Sequence, residues 1–523
     1  MISSFTVHVP TTFFYKTASC LIESCSCNHL INLTFFLTAV FVCALLSNDA
    51  SFMDYRLYTI DKELSTIKPG SPWAGGENMS KEEATKKSSD SKTSRRTAKP
   101  AYPELFQPIK IGDCEIKNRI VMAPMNTVFS MDNLGYVNEQ ILAYYAARAK
   151  GGTGLIITEC VLGTKLASEF PFTSNLHLFD VTHVPGLEEI TETVHAFGAK
   201  VFIQLSIGFG RQGHNKEHKS PPAPSAIPYQ TDPTLMPQGM LKFIMANPAV
   251  LDPRIPTMAH ADMPREMSRE EIKSEIAEYA NSCVLALIAG FDGIELHAPH
   301  GYLEHQFLSP RSNKRTDEYG GSLENRMRIV VELYEAVRAK IGDAAPVGIR
   351  LSGDEHMPDG IHHDELKQVV KKMGELGIDY VHLSDGSYEA LKYFFPDEEN
   401  LHLVGEAEGF KSVLPKHVPV ISVSLHDPQN SSRAIREGRI DMVSLGRQML
   451  ADPDYANKVM NGEKYRKCAR CNECLMRTAA GLPVRCKLNR DLGREKYMPE
   501  YWRTTRKAGT RILPEVPKLP PLV

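Results

Sequence analysis

The residues best suited to chemistry follow a single apolar run. Residues 291–296 have the pattern of a short strand covered on both faces, and His297, His300 and Tyr302 come directly after it. In a βα fold, catalytic groups collect at the carboxyl ends of the strands. Two imidazoles and a phenol at this spacing could hold a carbonyl oxygen and deliver a proton. The alternative is that one or both histidines are satisfied core residues.

The strand that carries these residues belongs to a longer series. From residue 103 onward, eight apolar runs alternate with amphipathic segments, which predicts a parallel sheet. Eight runs over roughly 350 residues predict an α/β fold, a closed (β/α)8 TIM barrel with a short cysteine-rich C-terminal extension. An open doubly wound sheet is the second option, but no Gly-x-Gly-x-x-Gly motif follows a run in the required place. The runs cover residues 119–122, 154–158, 201–205, 293–296, 347–351, 380–383, 420–423 and 442–445.

Polar residues also stand at the ends of other runs. Gln204 ends the third run and Arg350 the fifth, while Gly446 and Arg447 follow the eighth. An amide and a fixed cation suit the polar edge of a flavin, where the cation stabilises negative charge on the reduced ring. Backbone N–H groups around Gly446 and Arg447 suit a phosphate. Each residue alone could have a structural role, and it is their joint placement that favours a flavin site.

Four of the 11 cysteines form a group near the C-terminus. Three stand at CxxCxxC spacing and the fourth follows after eleven residues, a pattern that suits a [4Fe–4S] cluster. Structural zinc usually draws on two separated pairs, and free thiols are the third option. The predicted ligands are Cys468, Cys471, Cys474 and Cys486.

Several stretches closely resemble the old yellow enzyme family of FMN-dependent NAD(P)H oxidoreductases. The most specific is FLSPRSNKRTDEYGGSLENR at residues 307–326, and the resemblance covers residues 102–496. The other matching stretches are LFQPI at 105–109, KNRIVMAPM at 117–125, QLS at 204–206 and LGRQMLADP at 445–453.

This resemblance implies a barrel with FMN at its mouth and a reductase of activated C=C bonds. Reduced FMN would pass a hydride to the β-carbon of an α,β-unsaturated carbonyl compound or enoate. His297 and His300 would bind the carbonyl, and Tyr302 would donate the proton. The implied flavin contacts are Ala123, Pro124, Met125 and Asn126 along the ring, Cys160 and Gln204 against it, Arg350 at its N1/O2 edge, and Gly446 and Arg447 at the phosphate.

The cysteine group is similar to that of the multidomain branch of the family. That branch includes 2,4-dienoyl-CoA reductases, enoate and bile-acid reductases, and trimethylamine dehydrogenases. Its members continue into a flavin- and nicotinamide-binding region of several hundred residues, whereas this sequence stops at Val523. We therefore expect either that NAD(P)H reduces FMN directly or that an electron-donor protein feeds the cluster.

The sequence departs from the family pattern at several positions. The tight CxxCxxC spacing is nearer the amine dehydrogenases, but those enzymes carry tyrosine where this chain has His297. Asn126 and its neighbours provide no cysteine for a covalent flavin link. Both observations favour an ene-reductase over an amine dehydrogenase. In the loop after the seventh run, Ser424 and His426 stand where the family commonly has glycines, which questions part of the phosphate site.

The N-terminal part differs from the rest of the chain. Residues 1–100 hold an apolar segment at about 30–46 followed by a polar linker, residues 101–460 are the expected barrel, and residues 461–523 are the cysteine segment and tail. The apolar segment is at the short limit for a membrane span. It could be an anchor or signal, or a mis-assigned start with Met53 or Met79 as the true beginning. We expect a cytoplasmic protein, with a membrane-anchored one as the alternative.

Composition narrows the function classes. The chain is 42% hydrophobic and 24% charged, as in globular proteins, and its net charge of −3 gives no electrostatic reason to expect nucleic-acid binding. The leading interpretation is an FMN-dependent ene-reductase with a [4Fe–4S] cluster, either monomeric or a homo-oligomer. The alternatives are a flavin amine or ether dehydrogenase, an electron-transfer subunit, and a non-enzymatic barrel. The long insertion at residues 206–267 is either a substrate lid or a surface excursion.

Overall fold

The structure is a computed structural model that describes residues 100–130, 134–215, 217–246, 262–399 and 402–498. The apolar segment and linker expected before residue 100, and the tail after residue 498, lie outside the described residues. Among the helices that are described, none is long and apolar enough to cross a membrane.

Eight parallel strands close into a barrel, which confirms the predicted fold. Each of the eight apolar runs forms one strand, and the ring closes because β3 pairs with both β4 and β13 while β4 pairs with β6. The strands are β1 Ile109–Ile111, β2 Cys114–Ile116, β3 Ile120–Met122, β4 Leu155–Ile157, β5 Val161–Leu162, β6 Lys200–Ser206, β7 Pro222–Ala223, β8 Arg265–Glu266, β9 Gly293–His297, β10 Val347–Ser352, β11 Tyr380–Ser384, β12 Val420–Val423 and β13 Met442–Leu445.

Helices surround the barrel and separate its strands in sequence. Their ends follow local signals: Ser268 caps the longest helix in a capping box with Glu271, an arrangement worth about 1 kcal/mol. The helices are α1 Glu139–Lys150, α2 Lys165–Glu169, α3 Val184–His195, α4 Gln238–Ala246, α5 Arg269–Ile288, α6 Leu303–Leu308, α7 Leu323–Ile341, α8 His363–Glu375, α9 Leu391–Phe394, α10 His402–Lys411, α11 Pro428–Arg436, α12 Arg447–Ala451, α13 Tyr455–Asn461 and α14 Glu473–Ala479.

A short hairpin closes the amino-terminal end of the barrel. Strands β1 and β2 pair antiparallel around a turn in which Gly112 adopts φ +54°. The hairpin buries Ile111 and Ile116 against apolar side chains from the barrel strands, including Phe202 and Tyr380. With this end filled, the open end of the barrel lies at the carboxyl ends of the strands, as in other barrels of this type.

The cysteine segment packs directly on the barrel. Val484 and Leu492 are buried in the main core. The backbone N–H of Val484 donates to the Thr127 carbonyl at 2.9 Å, and a buried ion pair of 2.7 Å joins Arg148 of α1 to Glu495. The described part of the extension therefore shares its core with the barrel.

Candidate active site

A deep cavity lies at the carboxyl ends of the barrel strands. It contains about 1130 Å³ of space that protein atoms do not fill, counted to its open mouth. All twelve residues predicted to bind flavin or substrate line it. They are Ala123, Pro124, Met125, Asn126, Cys160, Gln204, His297, His300, Tyr302, Arg350, Gly446 and Arg447. Their individual roles remain predictions, but the barrel brings them together as the sequence suggested.

His297 ends β9 and is only 2% exposed. Neither of its ring nitrogens has a hydrogen-bond partner among the described residues. Burial lowers the pKa of His297 well below its usual value, and the nearby Arg350 charge lowers it further. The imidazole is therefore neutral at physiological pH and keeps one N–H, which can donate a hydrogen bond to a ligand oxygen.

His300 is held more firmly than His297. Its Nε2 lies 2.6 Å from the Ser384 hydroxyl at the end of β11, and its ring stacks on Phe394 at 3.8 Å between centroids. The backbone at His300 has φ +67°, an unusual conformation for a residue with a side chain. Burial also lowers the pKa of His300 well below its usual value. The two histidine rings, 5.4 Å apart, form a neutral pair beside Tyr302.

Tyr302 precedes α6 and is 7% exposed. Its ring centroid lies 5.2 Å from that of His297. Its hydroxyl donates to the hydroxyl of Tyr388 at 2.8 Å. Burial raises the pKa of Tyr302 well above its usual value, and Tyr388 raises it further. Tyr302 is thus a protonated phenol that faces the same cavity as the histidine pair.

A charged network supports the floor of the cavity. The Nε2 of Gln204 donates to Glu295 at 2.6 Å, and the ring of His382 lies 2.8 Å from the other carboxylate oxygen. Arg350 donates to Ser384 at 3.1 Å, while its buried Nε has no partner among the described residues. Arg350 is a fixed cation with spare donor capacity, as the polar edge of a flavin requires.

The loop after β12 forms part of the cavity wall. Ser424 has φ +70°, the left-handed conformation that normally favours glycine. A Cβ added at Gly446 would lie 3.2 Å from the Met125 sulfur, which makes this glycine part of a close contact. In the described structure, the buried Nδ1 of His426 and Oγ of Ser444 have no partner. These donors and acceptors, all at the cavity wall, fit a ligand that carries a phosphate.

The four predicted cysteine ligands line a second, smaller cavity. Arg470 and Asn472, both with positive φ, turn the backbone on either side of Cys471. Four thiols around one small cavity are a donor set that either an iron–sulfur cluster or a zinc ion can use.

Arg447 lies between the two cavities. Its Nη1 donates to the Pro396 carbonyl at 3.0 Å and to the Asn472 side chain at 2.6 Å. Arg447, Leu450 and Cys474 line both cavities, so the flavin site and the cysteine site share a wall. Sequence reasoning predicted Arg447 as a phosphate ligand and missed this second contact.

Sequence reasoning also missed the aromatic side of the cavity. Tyr388, Phe394 and Phe395 line this side, and Phe172 meets the ring of Tyr388 edge to face at 5.1 Å. The three lining residues follow β11 in the chain. The change from the apolar run to Ser384 was the available signal, because it repeats the pattern seen before His297.

Comparison with known proteins agrees with this geometry. Residues 104–465 match the NADH:flavin oxidoreductase / NADH oxidase family, and the chain belongs to that family of flavin-dependent oxidoreductases. FMN is the cofactor that the family implies, and the cavity provides the cation, the buried donors and the space that FMN would need.

Three relatives illustrate the similarity. The chain is 36% identical to NADH oxidase from Thermoanaerobacter brockii over 407 residues, which cover 75% of this chain and 57% of that protein. It is 34% identical to cinnamate reductase from Clostridium sporogenes over 428 residues, or 76% of this chain and 59% of that protein. A structure of 2-naphthoyl-CoA reductase with 2-naphthoyl-CoA superposes with a TM-score of 0.67 at 26% identity, covering 76% of this chain and 58% of that one. The chain thus spans somewhat more than half the length of these relatives.

Proposed function

We propose that the protein reduces the C=C bond of an α,β-unsaturated carbonyl compound. The observation that carries this proposal is the neutral His297–His300 pair beside the protonated Tyr302 phenol in one buried cavity. Bound FMN, once reduced, would supply a hydride for the β-carbon of the alkene. The residues of this chain then have to bind the carbonyl, stabilise charge on its oxygen and protonate the α-carbon.

The two histidines would bind the carbonyl oxygen. Because both imidazoles are neutral, each can donate one N–H without placing a positive charge in the buried site. Hydrogen bonds aimed at an oxygen that gains negative charge stabilise the transition state more than the ground state. The bond between His300 and Ser384 would fix the orientation of one donor in advance.

Tyr302 would protonate the α-carbon. Burial keeps its phenol protonated at physiological pH, so the acid is present in every turnover. The proton then goes to a carbon that becomes basic only as the hydride arrives. Such general-acid catalysis is typically worth about 10²–10⁴-fold in rate.

The aromatic wall supports a narrower substrate class. Tyr388, Phe394 and Phe395 offer ring faces and edges along one side of the cavity. Aromatic pairs of this kind add about 0.5–1.5 kcal/mol beyond simple burial. The relatives named for cinnamate and 2-naphthoyl-CoA act on or bind aryl compounds. We propose an alkene or ring conjugated to both an aryl group and a carbonyl.

The cysteine segment would hold a [4Fe–4S] cluster that exchanges electrons with the flavin site. The shared wall at Arg447, Leu450 and Cys474 supports this proposal, since it leaves no intervening domain between the cavities. Cys471 is exposed, which suits an electron-donor protein that approaches from solvent. Direct reduction by NAD(P)H is the alternative route.

The first test is anaerobic purification followed by a visible spectrum and assays of iron and acid-labile sulfide. We expect flavin bands and about four irons per chain. We then compare how the flavin reacts with an aryl-conjugated enone, an enoate and a dimethylated amine. Reoxidation of the reduced flavin by the alkenes supports the proposal. Reduction of the oxidised flavin by the amine would instead identify an amine dehydrogenase, and a chain without flavin would overturn the proposal.

The variant Tyr302→Phe separates an ene-reductase from an electron-transfer subunit. We expect alkene-dependent reoxidation to fall about 10²–10⁴-fold, because the acid is lost. Reduction of an artificial dye by the flavin needs no proton from Tyr302 and should keep its rate. If both activities fell together, the role assigned to Tyr302 would be wrong.

A further inference from the structure

A second phenol stands behind the predicted proton donor. The hydroxyl of Tyr302 donates to that of Tyr388 at 2.8 Å, and their ring centroids are 5.4 Å apart. Tyr302 is buried, whereas Tyr388 is half-buried. Tyr388 is therefore more accessible to solvent than the predicted donor.

The position of Tyr388 is fixed by contacts from three sides. Its backbone N–H donates to the His300 carbonyl at 3.1 Å, and its own carbonyl accepts from the Tyr229 hydroxyl at 3.0 Å. The next residue, Glu389, is buried and accepts from Arg311 at 3.1 Å and from Arg211. A side chain held in this way keeps its hydroxyl within reach of Tyr302, whatever the substrate.

Protonation of a substrate leaves a chemical problem at Tyr302. Loss of its proton produces a phenolate in a buried site, where a charge without a hydrogen bond is costly. The ionisable groups near it are Cys160, Tyr229, Tyr388, Arg350 and the neutral imidazoles of His297 and His300. Of these, the Tyr388 hydroxyl alone has a hydrogen bond to Tyr302 in the described structure. A hydroxyl can rotate, so Tyr388 can donate to the phenolate as readily as it accepts from the phenol.

We propose that Tyr388 is a positioning residue that returns a proton to Tyr302 in each turnover, a proposal that rests on the function proposed above. The O–H bond of Tyr302 breaks as the α-carbon gains its C–H bond, and in the same step the O–H bond of Tyr388 breaks as Tyr302 regains a proton. Solvent then reprotonates Tyr388. No electron moves in these steps, and each turnover consumes one proton from solvent.

The direct test is a titration of residue 302 in flavin-loaded protein without substrate. Placing 3-fluorotyrosine at position 302 lets ¹⁹F NMR follow the ionisation of that phenol alone. In the orientation of this structure Tyr302 donates to Tyr388, which stabilises the phenol and raises its pKa, so loss of an acceptor alone would lower the pKa of residue 302. If the Tyr388 hydroxyl instead rotates and donates to the phenolate, Tyr388→Phe removes that donor, and the pKa of residue 302 should rise by about one to two pH units. If Tyr388 only accepts a hydrogen bond, the same variant leaves this pKa unchanged or lowers it, and the proposal is overturned.

A kinetic measurement shows how much the proton transfer from Tyr388 to Tyr302, here called the relay, contributes to the rate. For Tyr388→Phe we expect alkene-dependent reoxidation to slow about 10- to 100-fold, with a KM close to that of the wild type. Plots of rate against the deuterium fraction of the solvent should curve for the wild type, because two protons move, and become straight for the variant. A variant with less than a twofold loss in the alkene reaction would overturn the relay.

Tyr319→Phe is the matched control. It removes another largely buried phenol, one that donates to Glu332 at 2.6 Å outside the cavity. Neither the ¹⁹F titration nor the shape of the isotope plot should change in this variant. If no alkene reoxidises even the wild-type protein, the proposed function fails, whereas the NMR titration still decides whether Tyr388 donates to Tyr302.

Discussion

The flavin cavity and the cysteine site share a wall but are built in different ways. The main side chains of the flavin cavity stand at or directly after the ends of barrel strands, such as His297 on β9 and Arg350 on β10. Strand pairing sets their spacing: Arg350 pairs with His297 on one side and His382 on the other. The cysteines lie in a loop and in the short helix α14, with no strand among them.

Side-chain bonds to the backbone take the place of strand pairing in the cysteine segment. Gln448 of α12 accepts from the Cys468 N–H at 3.0 Å and donates to the Arg466 carbonyl at 2.9 Å. Asn472 donates to the Phe395 carbonyl at 3.2 Å. Each such bond contributes about 0.5–1.5 kcal/mol. The barrel mouth, in contrast, is positioned by paired strands.

The largest effect on activity should come from a change at the barrel mouth. His297→Ala removes a donor that has no other partner among the described residues, and we expect alkene-dependent reoxidation to fall about 10²–10³-fold. Flavin content should stay the same, which a visible spectrum of the purified protein checks. His417→Ala, a change at an exposed histidine, is the control. Equal rates for wild type and His297→Ala would show that the carbonyl binds elsewhere.

A second change at the barrel mouth tests the flavin contact. We expect Arg350→Met to weaken FMN binding about 10- to 100-fold, because a buried charge-assisted hydrogen bond is lost. Titration of the apoprotein with FMN measures this effect. Arg439→Met removes an exposed arginine that pairs with Glu408 at 3.1 Å, and it should bind FMN like the wild type. Unchanged affinity in Arg350→Met would place the flavin edge away from this cation.

The third prediction separates the two regions. In Cys474→Ser, iron and acid-labile sulfide should fall from about four per chain to less than one, because the cube needs four thiolates. FMN content should remain, since most of the residues that line the flavin cavity belong to the barrel and not to the cysteine segment. Cys114→Ser, in the hairpin at the opposite end of the barrel, should keep its iron. Loss of iron and flavin together in Cys474→Ser would mean that the two sites fold as one.

The smallest effect is a pH response. Because burial lowers the pKa of His297 well below its usual value, KM for the alkene should vary less than about twofold between pH 6 and 8. The stability should respond in acid. Unfolded histidine takes up a proton below about pH 6.5 while buried His297 does not, so stability falls as pH drops below that value.

Below about pH 6.5 the free energy of unfolding of the wild-type protein should therefore fall by about 1.4 kcal/mol per pH unit. The variant His297→Ala should not show this part of the fall. Denaturant unfolding of both proteins at pH 7.0 and pH 5.0 measures the difference, with roughly 2 kcal/mol expected at pH 5. A KM that rises steeply below pH 7 would show that His297 titrates in the functional range, contrary to its buried position.

The sequence by itself determined the barrel and most of its mouth. Each of the eight apolar runs became a strand because the alternation of runs and helices leaves few other packings. The positions of His297, Arg350 and Gln204 at the cavity could be predicted from sequence. A polar residue that ends a buried strand of the barrel lies at the open end of the barrel. The hairpin at Gly112 followed from local turn chemistry in the same way.

Only the tertiary structure decided which residues from separate loops meet. Tyr388 is 86 residues from Tyr302, and Arg447 is 25 residues from Asn472. Neither pair lies on one element, so no periodicity in the sequence connects them. The barrel brings them together because it sets all the strand ends around one opening, and loops of unrelated sequence then share the same small space.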